Sequence, residues 1–312
     1  MSHPNTSVGK SPAARSAMGI ALMSAAALVV PLVDGIAKLL GASHSPYFVA
    51  WARYATASLI VLPLTLLWYR SAYDVRRDFV ANALRTMLTV GAMTCFFFAI
   101  TDIPLATAFG GYFLGPGLAA LVAAPVLGEQ LTPARLGAAG LGLVGASLIV
   151  RPGVALQFGS LLAVLSGVFF AGYLITTRLT AATTPPVDTL RFQCVFGTLL
   201  LTPVALWHWS SPTRADLLLM AIMGGISALC HLMVIAAFRC AEASVLAPLV
   251  YLELVTATLF GQLVFAELPD GLACLGVAMI VLSGLLIWRS EYRRGRLGDK
   301  RGAARLMDMP DL

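Results

Sequence analysis

Charge is what this sequence has least of. Lys, Arg, Asp and Glu make up 12% of its 312 residues, where soluble domains carry about 25%. A chain so poor in charge cannot clothe a soluble surface, and a soluble enzyme or regulatory domain is excluded on that ground. Histidine is scarce, with four in all, and no paired-histidine or serine–histidine–acid pattern points to an intramembrane enzyme. The five cysteines (Cys95, Cys194, Cys230, Cys240 and Cys274) lie inside apolar runs or at their ends, and no CxxC occurs. An odd number in such places argues against a disulfide framework. The lone Cys230-His231 pair lacks the ligand count for a metal site. Gly9-Lys10-Ser11 imitates the end of a phosphate-binding loop, but Pro4 stands where that motif needs its first glycine. No metal, cofactor or nucleotide is therefore expected. The sequon Asn5-Thr6-Ser7 falls in a segment that the topology below puts in the cytoplasm.

What is present is hydrophobic: 59% of the residues, with a mean hydropathy of +0.85. A membrane span takes roughly 20 apolar residues. Ten candidate spans follow, at 17–40, 46–69, 79–100, 104–127, 133–151, 158–177, 187–207, 215–238, 243–266 and 269–289. Residues 1–16 read as a disordered polar N-terminus and 290–312 as a basic tail. With the N-terminus in the cytoplasm, the cytoplasmic segments hold Lys10, Arg15, Arg70, Arg76, Arg77, Arg135, Arg178, Arg239 and the basic tail. The opposite loops hold little beyond Arg151 and Arg214, so the bias predicts both termini inside.

The stretch from Ile103 to Pro133 is long enough to span, yet Gly110, Gly111, Gly115, Pro116, Gly117 and Pro125 interrupt it. Glycine permits close backbone approach, and interior proline frees a carbonyl that needs another partner. Adding 138 maps residues 99–151 onto 237–289, with Glu129 on Glu267 and Arg151 on Arg289. Arg53-Tyr54 falls on Arg191-Phe192 at the same offset, and Lys38 corresponds to Arg178. Two similar halves with an odd number of spans each must be inverted in the membrane. The expected fold is an all-α membrane protein of ten transmembrane helices in two inverted five-helix repeats, 17–151 and 158–289.

Arg53, the Pro116 region, Gly128-Glu129-Gln130-Leu131-Thr132 and the weaker copy Ala266-Glu267-Leu268 carry a resemblance. With these residues the chain resembles the drug/metabolite transporter superfamily, with two tandem EamA-type repeats. The resemblance implies a secondary transporter for an amino acid, a vitamin such as riboflavin, S-adenosylmethionine or a similar solute. It departs from the family at Leu252-Glu253-Leu254, where a proline is often found, so that break is softer or displaced toward Pro248.

Ionisable groups at membrane depth are functional candidates, because each costs about 2.5–3.5 kcal/mol on insertion scales. Glu253 is the deepest, a substrate- or proton-binding carboxylate or else a structural hydrogen-bonding group. Asp34 and Lys38 share a helix face and suit either the pathway or a local ion pair. Arg53 and Arg191 recur near helix ends, which favours a structural or gating role over substrate contact. Arg85 is read as a snorkelling side chain. Tyr112 and Tyr251 are cavity candidates beside the glycine–proline break and beside Glu253. Gly115, Pro116, Gly117 and Pro248 are the helix-break candidates, and Glu129 and Glu267 are assigned to helix starts.

These readings converge on transport of a small organic metabolite across the inner membrane by alternating access. The expected partners are the solute, lipid and a coupling ion such as the proton, with no nucleic acid. The competing class, a membrane-embedded enzyme or lipid-handling protein, needs a cluster of polar groups at one interface, and the sequence has none.

Overall fold

The computed structural model describes residues 12–69, 71, 74, 76–102, 108, 111–128, 132–150, 158–265 and part of 271–290. Every regular element among them is helical. In chain order these are α1 (Pro12–Gly41), α2 (Pro46–Trp68), α3 (Phe79–Asp102), α4 (Leu114–Leu127), α5 (Pro133–Val150), α6 (Phe158–Ala181), α7 (Pro186–Trp207) and α8 (Arg214–Cys240). There follow the single turn α9 (Ala243–Leu246), a 3-10 segment at Ala247–Tyr251 and α10 (Leu252–Phe265). Described positions between 271 and 290 are helical too. Glu129, Glu267, Arg151 and residues 1–11 and 291–312 lie outside the described residues.

Six of these helices are long and apolar enough to cross a membrane: Ala14–Gly41, Pro46–Trp68, Phe79–Ala99, Leu161–Ala181, Pro186–Trp207 and Arg214–Cys240. The chain is a multi-pass membrane protein. Apolar side chains such as Leu59, Leu67, Leu199 and Leu206 point outward from α2 and α7, as lipid-facing residues do. Trp68 and Trp207 end those two helices almost fully exposed, where an interfacial aromatic is favoured.

Helix boundaries repeat along the chain. The turn closing α1 and the start of α2 recur 140 residues later at the end of α6 and start of α7. α4 and α10 both run for 14 residues and start 138 apart. Packing follows the same rule: α1 lies along α8 and α6 along α3, α4 packs on α6 and α10 on α1, while α2 packs on α7. The helices of one half are thus seated mainly against helices of the other.

Small residues permit the closest crossings. A Cβ on Gly115 would stand 2.7 Å from the carbonyl oxygen of Gly167, and one on Gly111 or Gly167 would enter the facing backbone. Lipid offers no hydrophobic drive for helices to associate, so close van der Waals contact at such positions is a main source of cohesion. The breaks lie near these contacts. Phe113 is a turn residue between the helical pair Gly111-Tyr112 and α4. Pro116 therefore sits in the first turn of α4, where its missing N–H costs little. In the second half the chain tightens to 3-10 geometry at Pro248 before α10 begins.

Candidate functional site

The helices enclose a cavity of about 90 Å³, measured as the space open to the centre of a water molecule. That is room for several waters. Its lining joins α1, α2, α3, α6, α8, the break at Tyr112 and the start of α10.

Among the described residues three charged side chains face it: Asp34 from α1, Arg53 from α2 and Glu253 from α10. Glu253 is the second residue of α10, immediately beyond the 3-10 segment, and its partner position in the first half is Gly115, the second residue of α4. Arg53 is buried, and its Nε donates to Ser227 Oγ of α8 at 2.7 Å while Nη1 lies 3.4 Å from Met93 Sδ of α3. It stands close enough to influence both carboxylates electrostatically. No hydrogen bond or ion pair to Asp34 or Glu253 occurs among the described residues. Two carboxylates and one guanidinium thus share a pocket with room for water, the setting in which charge is tolerated at membrane depth.

Aromatic rings line the same cavity. Tyr112 stacks on Phe170 with centroids 4.6 Å apart, and Phe170 stacks on Tyr173 at 5.9 Å. Phe96 adds a tilted contact with Tyr112 at 5.3 Å. Tyr173 is also a hinge between the cavity and a second buried charge. Its hydroxyl lies 3.1 Å from His231 Nδ1 on the cavity side and accepts from Arg85 Nη2 at 3.5 Å behind. The Arg85 guanidinium lies 5.1 Å from the Tyr173 ring centre, and its Nε donates to Thr177 Oγ1 at 2.9 Å. Arg85 is fully buried, so it does not snorkel. Interhelical polar contacts and a π-face replace the water that snorkelling would have reached.

Of the residues singled out in the sequence, the structure brings Glu253, Asp34, Arg53 and Tyr112 to one cavity. Lys38 does not line it and is exposed on α1. Arg191 is half-buried at the start of α7, 3.5 Å from Asp188, on a helix from which no described residue lines the pocket. The 138-residue spacing that paired Arg191 with Arg53 does not hold in this part of the chain. The α2 and α7 starts are 140 apart, which sets Gln193 opposite Arg53. Tyr251 is buried one layer behind the pocket, its ring against Gly142 and its hydroxyl near Gly117. Gly115, Pro116, Gly117 and Pro248 are buried at the two breaks. Tyr173, His231, Ser227 and Arg85 were not singled out as site residues. Each is a polar side chain within an apolar run, and that isolation was the available signal.

Two contacts between halves close the helix bundle at its ends. At one, His44 in the α1–α2 turn presents Nδ1 to Ser210 Oγ at 2.5 Å and Nε2 to Asp216 Oδ2 at 3.2 Å. Asp216 also caps α8, accepting from the Thr213 backbone N–H at 2.9 Å. At the other, Thr184 in the α6–α7 turn donates to Asp78 Oδ2 at 3.4 Å and accepts from Asn82 Nδ2 at 3.2 Å. His44 and Thr184 are 140 apart, as are the starts of α2 and α7, and Asp78 and Asp216 are 138 apart, as are the ends of α3 and α8. The two latches are therefore equivalent positions in the two halves.

Comparison with known proteins agrees with this geometry. The model of the EamA-like transporter family matches residues 17–151 and again 157–289. The chain is 26% identical over 262 residues to an S-adenosylmethionine uptake transporter of Rickettsia prowazekii, covering 83% of this chain and 88% of that one. It is 30% identical over 258 residues to a riboflavin transporter of Rhizobium johnstonii, covering 79% and 82% respectively. A solved crystal structure with 18% sequence identity superposes with a TM-score of 0.73, over 88% of this chain and 97% of its own, which shows a shared fold. With both halves matched by one family model, the chain belongs to the EamA-like transporter family.

Proposed function

We propose that the protein is a secondary transporter that carries a small organic metabolite across the inner membrane by alternating access. In this reading ten helices form two inverted five-helix repeats, with both termini in the cytoplasm. The observation that carries it is the cavity itself. It holds charged and aromatic groups from both repeats, and it lies between two latches that the repeat relates to each other. A site at the interface of two repeats, built beside broken helices, is what alternating access requires. Solute is held there while one latch and then the other parts.

Arg70, Arg76 and Arg77 cluster in the α2–α3 segment, next to the Thr184–Asp78 latch. That supports a cytoplasmic position for the Thr184 latch and an outer position for the His44 latch. The named relatives carry S-adenosylmethionine and riboflavin. Both solutes join a flat ring system to polar groups, and the stacked Tyr112–Phe170–Tyr173 wall suits such a body. The sequence has no nucleotide-binding motif, so an ion gradient, solute exchange or facilitated flow supplies direction.

The test is uptake by sealed vesicles containing the purified chain, measured over a metabolite panel that includes both of those solutes. Uptake above that of empty vesicles, saturable in solute, is expected. A panel in which nothing crosses faster than in empty vesicles refutes the reading.

A further inference from the structure

We propose that Gln193 and Thr89 form the inner counterpart of the Arg53–Ser227 contact, and that the two contacts alternate as the cavity changes face. The inference deepens the alternating-access reading and rests on it.

Its starting point is a buried amide with nothing to bond. Gln193 is fully buried in α7, and neither its Oε1 nor its Nε2 has a hydrogen-bond partner among the described residues. Buried polar groups are nearly always paired, so an orphaned one asks for a cause.

The repeat supplies it. Ser58 of α2 and Thr198 of α7 are 140 apart, and their hydroxyls lie 3.1 Å from each other. Equivalent residues that touch sit astride the pseudo-two-fold axis relating the halves. Pro63 and Pro203, inside the same two helices, keep that spacing. About this axis Arg53 corresponds to Gln193, while Ser227 of α8 corresponds to Thr89 of α3 by the 138-residue spacing of those helices. Arg53 Nε donates to Ser227 Oγ at 2.7 Å. The equivalent bond from Gln193 to Thr89 is not made.

Tyr54 stands between them. Its ring lies against Gly197, one turn beyond Gln193, where an added Cβ would come within 2.8 Å of Cδ1. Its hydroxyl is in hydrogen-bonding reach of Thr89. The counterpart of Tyr54 is Cys194, which clusters with Ala57 and Ala228 and is too small to bar Arg53 from α8. The outer side is joined further by Thr56 Oγ1, which donates to the Met220 carbonyl at 2.8 Å. The inner counterpart of Thr56 is Phe196, which makes only a ring contact, with Phe79.

Inverted repeats open the opposite face when the two halves trade arrangements. After that trade Gln193 holds Thr89 and Arg53 leaves Ser227. The exchange links gate to site, because Arg53 shares the cavity with Asp34 and Glu253 and, once released, can turn its planar fork toward a carboxylate.

The test reads which face is open. The full-length chain, with Cys230 as its sole thiol, is placed in oriented vesicles without solute, and the ratio of outer to inner maleimide labelling rates is measured. Ser227→Ala loosens the outer closure and should raise the ratio by about threefold or more, as loss of one modest hydrogen bond allows. Gln193→Leu removes the contact that closes the inner side and should lower the ratio by about as much, with the double variant near the parent. Gln193→Arg combined with Thr89→Ser copies the outer pair onto the inner side and should raise the ratio, a gain that poor folding does not mimic. A ratio unmoved by Gln193→Leu, or moved in the same direction as by Ser227→Ala, overturns the inference. Opposite shifts in a chain that carries no solute would uphold the exchange and refute transport. Solute uptake with a ratio that none of these variants alters would do the reverse.

Discussion

Tyr173→Phe removes one oxygen atom and tests how the buried polar network is held together. The hydroxyl accepts from Arg85 Nη2 and faces His231 Nδ1. Its loss leaves Arg85 with Thr177 as its remaining close hydrogen-bond partner, and Arg85 Nη1 already has none among the described residues. A hydrogen bond to a neutral ring nitrogen contributes about 0.5–1.5 kcal/mol and one to a charged group about 1.5–3 kcal/mol. The Arg85 contact is long, at 3.5 Å, which places it at the lower end. The expected loss is about 2–3 kcal/mol, since the ring and its contact with the guanidinium survive the substitution. Thermal unfolding in detergent should fall by several degrees, and solute affinity should weaken because His231 loses its orientation. Phe170→Leu serves as a comparison that disturbs the aromatic wall, including its stacking on Tyr173, without removing a hydrogen-bonding group. If Tyr173→Phe unfolds at the same temperature as the parent and transports with the same KM, the hydroxyl does not couple Arg85 to the cavity.

Three further outcomes follow from the geometry. Gly167→Ala drives a methyl group into the Gly111 carbonyl, so α6 and the Gly111-Tyr112 segment before α4 must separate; a cost of about 1–3 kcal/mol is expected in thermal unfolding, and an unchanged midpoint would show that the crossing yields freely. Solute and protons meet at Asp34 and Glu253, so KM should vary with pH, and Glu253→Gln should weaken that dependence in vesicle uptake. Among the described residues the other titratable groups facing the cavity are Arg53, Tyr54, Tyr112, Tyr173, Cys230 and His231, and a profile unaltered by Glu253→Gln would move the titration to Asp34 or to one of these. Arg191→Gln lies outside the cavity and should leave KM unchanged while loosening the start of α7; a large KM effect would contradict the placement of Arg191 beside Asp188.

Much of the site was legible because hydrocarbon makes polar residues conspicuous. Glu253, Asp34 and Arg53 stand alone in apolar runs, and the expense of burying them is what sends them to a shared cavity with room for water. The displaced break at Pro248 was legible for a related reason, since proline cannot continue an α-helix unaided. Register was harder. A single offset of 138 fits α4 and α10, yet the α1–α2 and α6–α7 turns are 140 apart. The segment between α2 and α3 and its counterpart differ in length, and apolar sequences offer few marks by which to notice two residues. Arg191 was paired with Arg53 for that reason. Arg85 was read as snorkelling because it lies six residues inside its span. Only three dimensions reveal that Tyr173 and Thr177 of another helix cover it. Tyr112 and Tyr251 looked alike in sequence. Glycine decides between them, because Gly142 lets Tyr251 sink into the packing behind the cavity.

The central claim is that one cavity is reached in turn from two sides, and Cys230 in its lining reports on that directly. In a chain where Cys230 is the sole thiol, a membrane-impermeant maleimide applied to either face of oriented vesicles measures access. The account predicts labelling from both faces, with a bound, transported solute slowing each. His44→Ala should speed labelling from the outer face and Thr184→Ala from the cytoplasmic face. Labelling from one face alone in every variant, or labelling indifferent to a transported solute, would contradict it.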